Sequence, residues 1–471
     1  MADILRLAPR AQPVETWPPP PARPGWHTEA DTESAAGTVP PPPMSTAGEE
    51  HGPPTERDIA ALRTQTARQI SHWSAAVEGL ARPDNFASPA AWASLESRLG
   101  LALRTELQRA IDRVRPKARS LAVALAAAHS ADQVQDVRRA MLGLRHEVQR
   151  VETVADFYGD AVNTRTGERI TALLRACDLL VVRTMEPVLV PLGQPVPPVL
   201  CYLDRGLGAS ILRAGVRLWD PAAISPVAAV KITRHNLLRP TALIHETGHQ
   251  VAFQLGWNEE LARALRAAAA PAGREVADAW AGWAQEIAAD ALAFAHTGFA
   301  ALAALHDVIA GTPGSVTNLP PGDPHPPAYL RVLLGTALCR DWYGAGPWDE
   351  MELAWLRSYP LDQVPAYRRE VMEASLPVLP QLARVCLREP AAAFKGRALA
   401  SLVDPGRVSP RELEALADRG GPALYTSDYW MVAEPLRILA LSCLRMSLGG
   451  PDTERTRANF ENWMTALGKR G

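Results

Sequence analysis

Apolar residues recur at helical spacing over most of the chain, and the first stretch with this pattern runs from Thr55 to about residue 190. Ser88-Pro89 reads as an N-cap and first-turn proline, opening a helix that continues through Leu95, Leu99, Leu101 and Leu103. Further helices are predicted over 120–128, 131–158 and 167–186, the last ended by Pro187. Residues 121–128 are apolar on every side, which predicts a buried helix. The period then changes. Residues 199–203 form a short apolar run. Over 210–219, Leu212, Ala214, Val216 and Leu218 alternate with Arg213 and Arg217, and 227–233 is a third run with β-branched residues. Three such runs so close together predict a small antiparallel β-sheet. A helical pattern resumes at once, and from about Met351 onward it is cut into short pieces by proline and glycine. The expected fold class is mainly α with one small antiparallel sheet.

Composition narrows the function classes. The 49 basic and 51 acidic residues leave a formal charge of −2, which lacks the basic excess a phosphate footprint needs, so no nucleic-acid partner is expected. Five widely separated cysteines, with no C-x-x-C pair, exclude a disulfide scaffold and fit a reduced compartment. Neither a secretory leader nor an apolar run of about 18 residues is visible, so the expectation is a cytoplasmic chain without a transmembrane segment. Residues 1–55 carry 13 of the 42 prolines. That density predicts a disordered tail of polyproline II character, a candidate docking segment for a protein partner. The division that follows is a tail over 1–55, a helical region over 56–150, a core over 151–345 and a helical C-terminal region over 346–471.

The helix predicted between Pro240 and Gly256 contains His245-Glu246-Thr247-Gly248-His249. Four residues is about one turn, so both imidazoles leave one face and can bind one metal ion, with Glu246 beside it as a base. Random placement of 11 histidines and the acidic residues would give about 0.03 such patterns, which makes the match informative. Gly248 lies inside the helix at a cost of about 1 kcal/mol against alanine, which suggests a close approach to its backbone. A catalytic zinc site needs a third protein ligand. Glu286, in the apolar stretch Trp283-Ala-Gln-Glu286-Ile-Ala-Ala-Asp290, is the candidate, with His235 and His296 as alternatives. Asp290, one turn on, can fix the tautomer of a ligand histidine.

H-E-x-x-H followed by Glu286-Ile-Ala-Ala-Asp290 resembles the gluzincin metallopeptidases, most of all the heat-shock and prenyl-protein (CAAX) endopeptidases. Those enzymes carry a downstream T-H-P-P segment followed by an arginine. This chain has Asp323-Pro324-His325-Pro326-Pro327 and then Arg331, with proline in place of threonine. The resemblance covers about a fifth of the chain, roughly 240–331, and lacks that group's membrane helices. It implies a zincin-like α+β metallopeptidase core flanked by helical regions. It further implies zinc on His245, His249 and Glu286, Glu246 as general base, Asp290 behind the ligands and His325 near the substrate oxyanion.

Zinc-dependent hydrolysis of a peptide or protein substrate is therefore the leading expectation. His325, Tyr329 and Arg331 are candidate oxyanion donors, and one of the three strands is a candidate for pairing with the substrate backbone. The alternative is a non-catalytic zincin-like scaffold with a proline-rich docking tail. An intact Glu246 favours the enzyme, since a structural zinc site has no need of a base.

Overall fold

The computed structural model describes residues 53–206, 208–218 and 223–470. The proline-rich stretch 1–55 therefore lies almost wholly outside the described residues.

Three long helices open the described chain. Glu56–Leu80 begins with a capping box in which Thr55 and Asp58 satisfy each other's backbone N–H groups. Ser97–Ala127 starts at Glu96, whose carboxylate accepts from the N–H groups of Arg98 and Leu99. Ala131–Asn163 starts with a second capping box, Ser130 and Gln133. They share a core that includes Ile70, Val77, Ile111, Val114, Met141 and Val148.

Three expectations change here. Ser88 does cap a helix with Pro89 in its first turn, but that helix is only Pro89–Ala93, because Glu96 starts a new one. The new helix runs unbroken to Ala127 with Pro116 inside it, so 120–128 is its end and not a separate element. Nor is 121–128 buried all round: Leu121, Leu125 and Ala128 face inward, whereas Val123 is 71% exposed. Alanine is small and favours helix, so an alanine-rich run carries little demand for burial.

The helix Glu168–Leu189 follows, with Pro187 accommodated in its last turn. After it come the strands β1 (Val199–Leu203), β2 (Ser210–Leu212) and β3 (Ala228–Ile232), in the order β1-β3-β2. β1 runs parallel to β3, pairing Val199 with Ala228 and Leu203 with Ile232, while β2 is antiparallel, pairing Ser210 with Lys231. The sheet is thus mixed, which corrects the antiparallel expectation. The reason is burial. Cys201, Ala228, Val230 and Ile232 face the largest core, while Leu200, Ala229 and Leu212 face the ends of the first helices through Leu99, Leu103 and Tyr158. β3, buried along nearly its whole length, takes the centre, and β1 and β2 flank it. Alternation predicts which residues share a face but not strand order. β2 is also shorter than the alternation over 210–219 suggested, because the chain turns at Gly215, whose φ of 86° favours glycine.

Beyond the sheet the chain is helical again. Thr241–Leu255, the motif helix, is preceded by Pro240 as its N-cap and ends at Gly256 in the left-handed conformation. It packs against Glu168–Leu189 and against Ala284–Thr297, the acid helix. Ala328–Tyr343, the arginine helix, follows a proline-rich loop. The C-terminal part is short helices, as expected, closing with the longer Pro435–Leu448 and Thr453–Arg470. One hydrophobic core runs from Leu173 to Leu467 and takes side chains from the motif, acid and arginine helices and from the C-terminal helices alike. No helix among the described residues is long and apolar enough to cross a membrane.

Candidate metal centre

Helical spacing places His245 and His249 on one face of the motif helix, their rings edge-to-face with centroids 4.8 Å apart. The acid helix crosses that face closely. A Cβ on Gly248 would lie 2.5 Å from Ala289 Cα and 3.0 Å from Ala289 O, so only glycine permits the approach that the interrupted helix propensity suggested. Glu286, in the first turn of the acid helix, is thereby brought between the two imidazoles. Its Oε2 lies 3.4 Å from His245 Nε2 and its Oε1 lies 3.3 Å from His249 Nε2.

His245, His249 and Glu286 form a group that could hold a metal ion, all donor atoms lying within 4.8 Å of one another. The donor set fits a divalent cation. Ligand bonds of about 2.0–2.1 Å in a tetrahedron separate neighbouring donors by about 3.3 Å, close to the spacing between Glu286 and each imidazole. Glu286 is buried and the two histidines are half-buried, which is how ligands reach an ion while leaving one side open.

Behind the ligands stands a charged relay. Asp290, one turn from Glu286, makes an ion-pair contact of 2.8 Å with His245 Nδ1. Arg331, on the arginine helix, donates to both Asp290 oxygens, Nε at 2.9 Å and Nη2 at 2.7 Å. Its Nη1 lies 3.5 Å from Glu286 Oε2. The buried guanidinium thus ties together the two carboxylates of the acid helix, a function that the sequence alone did not reveal. Its bidentate engagement with Asp290 occupies it, unlike an oxyanion donor waiting for substrate. Tyr329 is buried too, and its hydroxyl, pushed up to about 12 by burial, feels Glu373 and Glu352.

Electrostatics follow from burial opposed by close partners. Burial works against the charge of His245, but Asp290 and Glu286 outweigh it and push its pKa up to about 10. Burial likewise opposes ionisation of Glu286, yet hydrogen bonds from His245 and His249, with the charge of Arg331, hold its carboxyl well below the usual range. Asp290 is held at about 2 against its own burial by Arg331 and His245. Glu246 differs. Burial pushes its pKa upward, only partly offset by His245 and His249.

His325 approaches from the loop before the arginine helix. Its Nε2 is 3.5 Å from Glu286 Oε1, but it stands outside the metal-binding group and its side chain is 57% exposed. The alternative ligands do not join the centre: His235 Nε2 pairs with Thr233 Oγ1 at 3.2 Å, and His296 is buried against the backbone of Thr184. Gln250, on the motif helix, was not singled out in the sequence. Its Oε1 accepts from Ala214 N–H at 2.8 Å, which fastens the chain just after β2 beside the metal face. Compared with protein-family models, curated proteins and solved structures, the chain matches none, and the centre is therefore read from its own geometry.

Proposed function

We propose that the chain is a zinc-dependent peptidase of the gluzincin type. One observation carries the reading. Two imidazoles from adjacent turns and a carboxylate from a second helix bring one donor atom each to within 4.8 Å of the others, a set that can take a single metal ion, and Glu246 stands beside that set without belonging to it.

Zinc bound there supplies Lewis acidity, polarising a carbonyl and bringing the pKa of a water to about 7. Glu246 would accept the proton of the attacking water and return it to the leaving nitrogen. Asp290 orients His245, and Arg331 holds Asp290 and Glu286 in register. His325, whose Nε2 lies 3.5 Å from Glu286 Oε1, would be the donor to the developing oxyanion. An extended substrate would align by backbone pairing along β2, the sheet edge that Gln250 keeps beside the motif helix.

The test compares the wild type with Glu246→Gln for metal content, thermal midpoint and cleavage of a broad peptide library. About one zinc per chain is expected in both, with equal midpoints. Cleavage should fall by about 10²–10⁴-fold in the variant, because glutamine keeps the shape but takes no proton. Absence of stoichiometric metal after reconstitution, or equal cleavage by both proteins, would overturn the proposal. A wild type that holds zinc and cleaves nothing would instead favour the zincin-like scaffold.

A further inference from the structure

His245, His249 and Phe253 follow one another at intervals of four along the motif helix, so the phenylalanine continues the line of the two imidazoles. The neighbouring Leu243, Ile244, Val251 and Ala252 are buried, whereas Phe253 is 38% exposed. The chain leaving β2 is built around this open ring. The Arg213 guanidinium carbon lies 4.7 Å from the ring centroid. A Cβ on Gly215 would stand 3.7 Å from the ring's Cε1. Between the two, Gln250 grips Ala214 by both backbone groups, accepting its N–H at 2.8 Å and donating to its carbonyl at 3.5 Å. Arg213 is thus held over Phe253 by the anchored end of its own strand as well as by cation–π attraction.

We propose that Phe253 and Arg213 form a substrate subsite that takes a glutamate side chain about two residues from the cleaved bond. The inference rests on the peptidase reading and names its substrate class, acidic peptides. Distance sets the position. One helical turn carries Phe253 about 6 Å along the axis from His249, and an extended peptide rises about 3.3 Å per residue. Chemistry sets the side chain. The open part of the ring is a floor for methylenes, and stacking engages the face of a guanidinium while its N–H donors lie in the plane, at the edge. A carboxylate on a two-methylene stem meets both, whereas a leucine would bring no acceptor. The surrounding charge agrees. Residues 199–239 hold six basic side chains against two acidic, Asp204 and Asp220, and only Arg239 of the six is drawn away, to Asp307 beyond the segment at 2.9 Å. Arg205, Arg217 and Arg234 are exposed. Such an excess draws an acidic peptide toward the β2 edge.

Short alanine-based peptides with Glu, Gln, Leu or Lys placed in turn at each position test this on the zinc-reconstituted chain, with kcat and KM read for cleavage. Binding is read separately, by fluorescence anisotropy of the labelled peptides on zinc-loaded Glu246→Gln. At a position about two residues from the cut, the wild type should favour Glu over Gln by about tenfold, mostly through KM. That preference should shrink as salt is raised. Arg213→Gln should bring the Glu-to-Gln ratio close to unity, and Arg213→Glu should turn the preference toward Lys. Phe253→Ala should weaken both Glu and Gln peptides, since both lay methylenes on the ring. Zinc content and thermal midpoint of each variant show whether the centre is intact. Equal use of Glu and Gln, or a preference for Leu, would overturn the proposal and leave the peptidase standing. So would a Glu preference that survives Arg213→Gln, or a Phe253→Ala variant that handles both peptides like wild type. If nothing is cleaved, the peptidase reading fails by itself and binding decides the subsite: unless the Glu peptide binds more tightly than the Gln peptide, and only while Arg213 is present, the subsite is refuted too.

Discussion

His296 lies on the same helix as Glu286 and Asp290, yet it belongs to the core. It is 5% exposed, and burial pulls its pKa down to about 4 from an ordinary 6.5, against a hydrogen bond with the Thr184 backbone. Between those two values the unfolded chain binds a proton that the native chain does not, so stability falls as pH drops from about 6.5 to 4. The shift corresponds to about 3 kcal/mol over that window. Replacing His296 by glutamine removes the titration, so the variant should lose less stability than wild type between pH 7 and pH 4. Denaturant titrations at the two pH values measure it, and equal losses would mean that His296 is protonated in the native state. Sequence spacing could nominate this histidine as a ligand; only its burial beside Thr184 excludes it.

The crossing of the motif helix and the acid helix decides whether three good donors become one site. Alanine is normally worth about 1 kcal/mol over glycine inside a helix. At position 248 the sign should reverse, because the added Cβ would meet backbone atoms of Ala289, which cannot rotate away. Gly248→Ala should therefore destabilise the protein by about 1–3 kcal/mol. It should also weaken metal binding, since separating the helices draws Glu286 away from both imidazoles. Calorimetry and a zinc competition assay check the two effects, and an alanine variant as stable and as tightly metallated as wild type would refute the close crossing. The motif helix and its two histidines were legible from spacing, whereas Glu286 was one candidate beside His235 and His296 until the helices packed. Arg331 was visible in the sequence as a candidate oxyanion donor but not as the partner of Asp290, which is 41 residues away in sequence and adjacent only after the arginine helix packs.

The centre also depends on parts of the chain far from it. Thr453–Arg470 packs on Glu168–Leu189, so closely that a Cβ on Gly468 would overlap Ala172 O, and Glu168–Leu189 in turn packs on the motif helix. Phe460, Trp463, Met464 and Leu467 are buried in the shared core. At about 1.5–3 kcal/mol for each buried side chain, their removal approaches the whole net stability of a domain, about 5–15 kcal/mol. Deleting residues 453–471 should abolish cooperative unfolding and metal binding together. Circular dichroism melts and zinc titration of the truncated chain test this, and a truncated protein that melts at the wild-type temperature would show the terminal helix to be dispensable.

Local rules account for what the sequence determined unaided: the helix-rich character, the three strand segments, the ends of the motif helix, and the one-turn spacings of His245 with His249 and of Glu286 with Asp290. Each depends on spacings within a few residues, where the geometry of helix and strand is nearly constant. Tertiary structure alone decided the central place of β3, the exposure of Val123, the buried role of Arg331 and the separation of His296 from the centre. These depend on which distant surfaces meet, and burial and charge pairing across the chain settle that contest after local preferences have been satisfied.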